Sequence, residues 1–168
     1  MNYSKIRKMD ISNGVGMGVS LFVSGCPLHC KGCFNSVAWD YEAGNLFTDG
    51  VEEYFLSLAS SPHVQRISIL GGEPLADHNF PTVLPLVRHI RNRFGNSKKI
   101  WVYSGYTFEE IDETYKSAIF SFIDVLVDGR YIDEEKDMNL KFRGSRNPRV
   151  IDVPRTLKKD KIVELSMD

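Results

Sequence analysis

Short apolar runs rich in β-branched and aromatic residues recur along the chain, and each run ends at a glycine or a polar cluster. They occupy residues 19–23, 66–70, 99–103 and 124–127, with a weaker fifth run at 149–153. A run of this kind bounded by turn residues is typical of a buried β-strand. The pattern therefore predicts five strands.

The segments between these runs have helical spacing, because apolar residues recur three and four positions apart. We predict helices over residues 49–59, 79–94 and 107–115, with a further short helix at 118–122. The ends carry suitable residues: Asp49 as an N-cap, Gly95 as a stop, and a capping box from Thr107 and Glu110.

Strands that alternate with helices favour a mostly parallel sheet with crossover helices. The first four strands end in SGC, GGEP, SGY and DGR, respectively. Because ligands of parallel α/β folds bind at the carboxyl ends of the strands, we expect one active site there. Five or six strands cannot close an eight-stranded barrel. We therefore expect a single α/β domain over residues 1–168, built as an open, partial (β/α) barrel.

The charges along the chain are balanced, with 21 lysines and arginines against 22 aspartates and glutamates. Such a balance gives no reason to expect nucleic acid or a membrane surface as a partner. The amino-terminal segment has no apolar stretch of signal-peptide length, and no apolar run approaches membrane-spanning length. We therefore expect a cytoplasmic protein.

All three cysteines, Cys26, Cys30 and Cys33, lie within eight residues and directly follow the first predicted strand. A secreted disulfide framework would use an even number spread along the chain, so this grouping indicates a metal or redox site. Iron–sulfur clusters are usually held by four thiolates. A cubane held by three would keep one iron without a protein ligand, and an open metal position is where chemistry can occur.

Two other interpretations of the cysteines remain open at this point. A structural zinc site would need a fourth ligand, but His29 lies inside the loop, and His63, His78 and His89 lie at the wrong ends of other elements. Three unrelated buried or redox-active thiols are the other alternative. A zinc or iron–sulfur module that only docks or senses would also be compatible with the cysteines alone.

The spacing C-x3-C-x2-C, with Phe34 after the last cysteine and GGEP after the second strand, resembles the radical S-adenosylmethionine superfamily. The resemblance implies a [4Fe–4S] cluster on Cys26, Cys30 and Cys33, with the methionine part of S-adenosylmethionine on the open iron. It implies further cofactor contacts by other residues: Gly71, Gly72 and Glu73 at the amino group, Gly32, Cys33 and Phe34 at the adenine, Ser104 at the ribose or carboxylate, and Asp128 at a ligand or substrate.

These roles agree with simple chemistry. Glycines let the backbone approach a ligand closely, and backbone oxygens or the Glu73 carboxylate can accept hydrogen bonds from an ammonium group.

Within this superfamily the chain resembles one group more specifically, and this resemblance covers nearly the whole chain. The segment from Asp10 to Gly16 reads D-x-x-N-G-x-G and resembles the activases of glycyl radical enzymes. Further stretches resemble those activases that serve an anaerobic ribonucleoside-triphosphate reductase: residues 32–35 with Trp39, 46–48, 101–106, 125–129 and 143–147.

This resemblance implies an oxidoreductase that takes an electron from an external one-electron donor and cleaves S-adenosylmethionine reductively. The resulting radical would remove an α-hydrogen from a glycine of the reductase. An activase of another glycyl radical enzyme, such as pyruvate formate-lyase, is the nearest alternative.

Two positions depart from the pattern of these activases. Many carry an arginine shortly after N-G-x-G, where this chain has Gly18, and the late motif commonly reads G-S-x-N-Q, where this chain has Pro148. Proline removes a backbone donor and restricts Asn147 before it. Both departures concern partner contacts rather than the cluster.

Overall fold

The fold is known from a computed structural model that describes residues Met1–Met167. A seven-stranded sheet has the strand order β3-β1-β2-β4-β5-β6-β7. The strands are β1 (Asn2–Asp10), β2 (Gly18–Val23), β3 (Asn45–Leu46), β4 (Arg66–Gly71), β5 (Lys99–Ser104), β6 (Val125–Asp128) and β7 (Arg149–Asp152). The helices are α1 (Asp49–Ala59), α2 (Phe80–Phe94), α3 (Phe108–Asp112) and α4 (Val153–Lys159).

The centre of the sheet is parallel and its edges are antiparallel. Strands β2, β4, β5 and β6 are parallel neighbours, whereas β1 pairs antiparallel with β2 and β3, and β7 with β6. Strand β7 reverses because a loop without a crossover α-helix connects it to β6. The predicted α/β class with mostly parallel strands is confirmed for the core of the sheet.

All five predicted strands are present, but two further strands, β1 and β3, are not visible as apolar runs. Strand β1 reads NYSKIRKMD and is largely exposed, so it lacks a buried strand's apolar composition. The weak run at 149–153 contains β7 and the first residue of α4, whose N-cap is Asp152.

The predicted helices are also present, with corrections at their ends. Thr48 caps α1 instead of Asp49, because its hydroxyl accepts a hydrogen bond from the Val51 amide at 3.2 Å. The capping box of Thr107 and Glu110 and the stop at Gly95 are confirmed. The helix predicted over residues 107–115 ends at Asp112, and the segment Tyr115–Ser121 is a 3-10 helix.

The two faces of the sheet differ in character. One face packs against the helices in a large apolar core, which includes Val19, Leu21, Ile67, Ile69, Ile100 and Val102 from the strands and Phe55, Val83, Val87 and Ile90 from α1 and α2. The opposite face, here called the open face, carries Ser20, Ser68, Trp101 and Tyr103, because side chains alternate along a strand. Loops rather than α-helices cover it, with Phe142 packed on Trp101.

A buried ion pair lies where the parallel strands of the open face begin. The Arg66 guanidinium donates to the Asp10 carbonyl oxygen at 2.5 Å and lies 3.9 Å from the Asp10 carboxylate. That carboxylate also accepts hydrogen bonds from Asn13 at 2.7 Å and from Ser20. Burial raises the pKa of Asp10, but these hydrogen bonds and Arg66 outweigh it, so the pKa is lowered overall.

This ion pair explains Asp10, Asn13 and Gly14 of the D-x-x-N-G-x-G motif, and also Gly18 after it. A β-carbon at Gly14 would lie 2.3 Å from Cδ of Arg66, and one at Gly18 would lie 2.6 Å from Cζ of Arg66. The buried Arg66 side chain therefore occupies the space beside Gly18.

Within Met1–Met167, none of the helices combines the length and the apolar character that crossing a bilayer requires.

Replacing Asp10 by alanine should destabilise the cluster-free protein by about 3–5 kcal/mol, because it leaves a buried guanidinium without its carboxylate. Urea unfolding measures the change. The matched control is Glu53→Ala, which removes the exposed partner of Arg93 and should change the free energy of unfolding by less than about 1 kcal/mol. Equal effects of the two substitutions would show that the buried pair has no special role.

Candidate active site

The carboxyl ends of the parallel strands border one pocket. Its walls come from the cysteine loop (residues 24–34), the glycine turn after β4 (residues 71–74), the end of β5 and the long loop between β6 and β7 (residues 129–148). Eight of the predicted site residues line it: Cys26, Cys30, Cys33, Phe34, Gly71, Gly72, Glu73 and Ser104. Gly32 and Asp128 are not among the lining residues.

The cysteine loop presents three free, half-buried thiols to this pocket. The loop is fixed where it leaves β2, because the Cys26 amide donates to the Trp39 carbonyl oxygen at 3.1 Å. At its other end, the Cys33 amide donates to the Cys30 carbonyl oxygen at 3.1 Å. Burial raises the pKa of the Cys26 thiol, so a bound metal must displace its proton before the thiolate can act as a ligand.

The chemistry of these donors is that of an iron–sulfur site, because three free thiols line one pocket. Within residues 1–167, no three His, Cys, Asp or Glu side chains converge as ligands of one ion. The thiolates of a cubane bind separate iron atoms, so they surround the cluster instead of meeting at one point. His29, the histidine within the loop, stacks on the Trp39 ring with centroids 4.3 Å apart. The donor set therefore fits a [4Fe–4S] cluster with one iron free of protein ligands.

The glycine turn packs backbone to backbone against the cysteine loop. The Gly72 amide donates to the Val23 carbonyl oxygen at 2.8 Å, and the Glu73 amide donates to the Gly25 carbonyl oxygen at 2.8 Å. A β-carbon would lie 2.6 Å from the Val23 oxygen at Gly71 and 2.4 Å from the Gly25 oxygen at Gly72. Only glycine allows this approach, which places the two loops on one pocket.

The Glu73 carboxylate joins the ends of β4 and β5. It is 1% exposed and accepts hydrogen bonds from the Gly105 amide at 2.6 Å, the Leu75 amide at 2.9 Å and the Ser104 hydroxyl at 2.9 Å. Burial raises the pKa of Glu73 to about 7. The Ser104 hydroxyl also accepts a hydrogen bond from the Tyr106 amide at 3.1 Å. Glu73 and Ser104 therefore line the pocket while their side chains bind within the protein.

Asp128 joins strands rather than facing the pocket. It is 1% exposed, and its carboxylate accepts hydrogen bonds from the Phe108 amide at 2.7 Å and from the Arg149 guanidinium at 2.5 Å. Arg149 also contacts the Glu109 carboxylate at 2.6 Å, and both carboxylates raise the pKa of Arg149. Asp128 thus fixes the start of α3 and of β7, while Gly129 beside it lines the pocket.

Phe34 and Gly32 connect the cysteine loop to the long loop. Phe34 is 59% exposed, and its ring meets the Tyr131 ring edge-on with centroids 5.4 Å apart. A β-carbon at Gly144 would lie 2.8 Å from the Phe34 ring. Gly32 has φ +77°, and a β-carbon there would lie 2.5 Å from the Asp133 carboxylate. The two loops therefore close one side of the pocket together.

Among the lining residues that were not predicted as site residues, three carry a buried polar atom without a partner: Trp39, Tyr103 and Arg143. Within the described residues, Nε1 of Trp39, the Tyr103 hydroxyl and Nε of Arg143 are buried without a hydrogen-bond partner. Buried polar atoms of this kind are rare, and three on one pocket fit a polar ligand. All three residues stand in stretches that resemble the activases, but only the structure shows that their polar atoms lack partners.

Comparison with known proteins identifies relatives of this chain. Residues 12–151 match the family model of the 4Fe-4S single cluster domain. Three relatives are each named as an anaerobic ribonucleoside-triphosphate reductase-activating protein. The Haemophilus influenzae protein is 39% identical over 149 residues, 88% of this chain and 95% of the relative. The Escherichia coli K12 protein is 38% identical over 88% of this chain and 96% of its own length. The phage T4 protein is 37% identical over 89% and 93%, respectively.

The α/β fold, the three thiols on one pocket and the matching family model define a protein of the [4Fe–4S] cluster class. Its similarity to named relatives narrows this class to one family. The chain belongs to the family of anaerobic ribonucleoside-triphosphate reductase-activating proteins. The predictions of a [4Fe–4S] protein and of an activase related to this family are confirmed.

Gly72→Ala should destabilise the protein by about 1–3 kcal/mol and loosen the contact between the glycine turn and the cysteine loop, because its methyl group meets backbone atoms. The matched control is Gly50→Ala in α1, where the nearest atom would lie 3.8 Å away. Alanine at that position should be neutral or stabilising by up to about 1 kcal/mol. Chemical unfolding and iron content after reconstitution measure both. Unchanged stability and iron content in Gly72→Ala would contradict the packing described.

Because the pKa of Glu73 is about 7 in the folded protein, above the value for an unfolded chain, the folded state holds its proton more tightly. The protonated Glu73 carboxyl therefore stabilises the folded protein at low pH, and this contribution is lost as the pH rises toward 7. Glu73→Gln should flatten this dependence, measured as the free energy of unfolding of the cluster-free protein between about pH 5 and pH 8. The exposed Glu53→Gln should keep the wild-type slope. If Glu73→Gln kept the wild-type dependence of the free energy of unfolding on pH, the titrating group would be a residue other than Glu73.

Proposed function

We propose that this protein cleaves S-adenosylmethionine reductively at a [4Fe–4S] cluster held by Cys26, Cys30 and Cys33, and thereby generates a glycyl radical on an anaerobic ribonucleoside-triphosphate reductase. The observation that carries the proposal is the shared pocket, in which three thiols lie beside a glycine turn and unpartnered polar atoms. The names of the relatives support the choice of partner.

A [4Fe–4S] cluster held by Cys26, Cys30 and Cys33 would supply the one-electron chemistry: with an electron from an external donor, it would support cleavage of the C5′–S bond of S-adenosylmethionine into methionine and a 5′-deoxyadenosyl radical. The cofactor carries this chemistry, and the protein supplies binding, orientation and exclusion of water. The exclusion of water falls to apolar lining residues, among them Leu70, Val127 and Phe142. The radical would then take the α-hydrogen of a glycine, which has no side chain to block access.

The residues around the pocket would share the binding of S-adenosylmethionine. The turn at Gly71 and Gly72 brings backbone close to the ligand, where carbonyl oxygens can accept hydrogen bonds from its ammonium group. The exposed Phe34 ring offers a flat apolar surface to the adenine. Glu73 and Ser104 would contribute mainly by holding the pocket wall in place, since their side chains bind each other.

Asp128 would act indirectly, without touching the ligand. Its carboxylate fixes β7 through Arg149, and the adjacent Gly129 brings backbone to the pocket. We propose that Asp128 positions this backbone for the ligand or for the partner's glycine loop.

The open face supports the finer fold proposal, a partial (β/α) barrel of the radical S-adenosylmethionine type. Four parallel strands, β2, β4, β5 and β6, form its wall, the α1 and α2 helices lie outside, and the polar open face lines its interior. An incomplete barrel leaves room for a loop of a protein partner. Because the sheet runs through the chain from β1 to β7, we propose one domain over residues 1–168.

The proposed partners are the reductase and an external one-electron donor, in the cytoplasm. The balanced charge of the chain supports the exclusion of nucleic acid and membranes as partners.

Anaerobic reconstitution with iron and sulfide tests the proposal. The wild-type protein should bind about four iron atoms per chain and release 5′-deoxyadenosine from S-adenosylmethionine under a strong reductant. Cys30→Ser should lose the cluster and the product, because the thiolate is a ligand. Gly50→Ala, remote from the pocket, should retain both. A reconstituted wild-type protein without iron, or Cys30→Ser with full cleavage, would overturn the proposal.

A further inference from the structure

Trp39 is anchored to the cysteine loop at both its backbone and its ring. Its carbonyl oxygen accepts the hydrogen bond from the Cys26 amide at 3.1 Å. Its indole ring stacks on His29, the residue before Cys30, with centroids 4.3 Å apart and planes within 10°. The position of the indole is therefore tied to two of the three thiol-bearing residues.

The indole N–H of Trp39 has no acceptor within the described residues, although it is buried. An indole nitrogen can only donate, and a buried donor without a partner is unfavourable. Trp39 lines the pocket together with Cys26, Cys30 and Cys33. The missing acceptor is therefore an atom that the pocket gains when it is filled.

We infer that Trp39 donates its indole N–H to a sulfur atom of the bound cluster or of its cysteine ligands, and so raises the reduction potential of the cluster. The inference rests on the proposed position of the cluster at the three thiols. One-electron reduction makes the cluster more negative by one charge. A donor to sulfur stabilises this reduced form more than the oxidised form, so the external donor reduces the cluster more easily.

The cluster is a better acceptor for this N–H than S-adenosylmethionine. Trp39 is fixed to the loop that carries the cysteines, whereas the other two unpartnered groups that line the pocket, on Tyr103 and Arg143, belong to β5 and the long loop. Groups that orient metal ligands from outside the ligand set commonly tune a metal site in this way. Trp39 is thus a positioning and tuning residue, distinct from the cluster ligands.

Trp39→Phe tests the inference, because phenylalanine keeps an aromatic ring for the stack on His29 and removes the N–H. The measurement is an anaerobic redox titration followed by electron paramagnetic resonance, on reconstituted protein without S-adenosylmethionine and with matched iron content. The reduction potential should become more negative by about 59 mV, which is a tenfold change in the equilibrium constant for one electron.

The matched control is Tyr41→Phe, which removes a hydroxyl from another aromatic ring beside the cysteine loop. The Tyr41 ring packs on Gly25, where a β-carbon would lie 2.0 Å from it, but Tyr41 does not line the pocket. The Tyr41 hydroxyl interacts electrostatically with Cys26, so the potential of Tyr41→Phe should shift by clearly less than that of Trp39→Phe rather than by the same amount. An equal shift in both variants would show a general effect of loop packing and overturn the inference.

A second measurement needs no variant. The protein contains two tryptophans that can carry 15N at the indole nitrogen, and Trp101 is buried beside Val125 and Val127 and does not line the pocket. Pulsed electron paramagnetic resonance of the reduced cluster should therefore detect 15N coupling from Trp39. This measurement tests the proposed hydrogen bond of Trp39 even if the Trp39→Phe variant does not hold a cluster.

The outcomes separate the inference from the proposed function. Normal iron content without 15N coupling, or an unchanged potential in Trp39→Phe, overturns the inference alone. A potential difference that arises only after S-adenosylmethionine is added assigns the N–H to the cofactor and also overturns it. A wild-type protein that binds no iron contradicts the proposed function and the inference with it.

Discussion

The contact between the glycine turn and the cysteine loop is the constraint on which the pocket depends. Two backbone hydrogen bonds of 2.8 Å join Gly72 and Glu73 to the end of β2. The Asn79 side chain reinforces them by donating to the carbonyl oxygens of Ser24 and Glu73, each at 3.0 Å. Glu73 then extends the connection to β5 through Gly105. The ends of three strands are thereby held in one geometry before any ligand binds, which reduces the cost of ordering on binding.

The helix-covered face of the sheet contributes mainly to stability, whereas the open face carries the polar groups. The helix-covered face is almost entirely apolar and supplies the main core. The open face carries hydroxyls, a tyrosine and a buried ion pair, which an apolar core would not tolerate unpaired. At the amino-terminal end of the strands Asp10 and Arg66 compensate each other. At the carboxyl-terminal end, unpartnered polar atoms of Trp39, Tyr103 and Arg143 lie on the same pocket as the three thiols, and this combination indicates the end at which a ligand binds.

Sequence patterns could predict the elements whose burial is encoded locally. The apolar runs of β2, β4, β5 and β6 are the strands of the parallel core, and the cysteines with the glycine turn placed the site at their carboxyl ends. Strand β1 escaped prediction because it is exposed and polar, so its position follows from pairing with β2. The direction of β7 is likewise set by the connection from β6, which carries no local signal.

The roles of individual residues at the strand ends depend on side-chain direction, which a linear pattern does not contain. Ser104 and Asp128 both end strands, yet Ser104 lines the pocket and Asp128 binds Arg149. Conversely, Tyr103 reads as an apolar strand residue, but its hydroxyl is buried on the open face. Trp39 stands in a motif of the sequence, but its stack on His29 and its unpartnered N–H are seen only in the structure.

Hydrogen transfer from the reductase tests the central claim most directly. The experiment combines the reconstituted protein, a reductant and S-adenosylmethionine with an anaerobic ribonucleoside-triphosphate reductase whose glycines carry deuterium at the α-carbon. Deuterium in the 5′-deoxyadenosine, together with a glycyl radical signal on the reductase, is the predicted result. Product free of deuterium and a reductase without a radical would contradict the account.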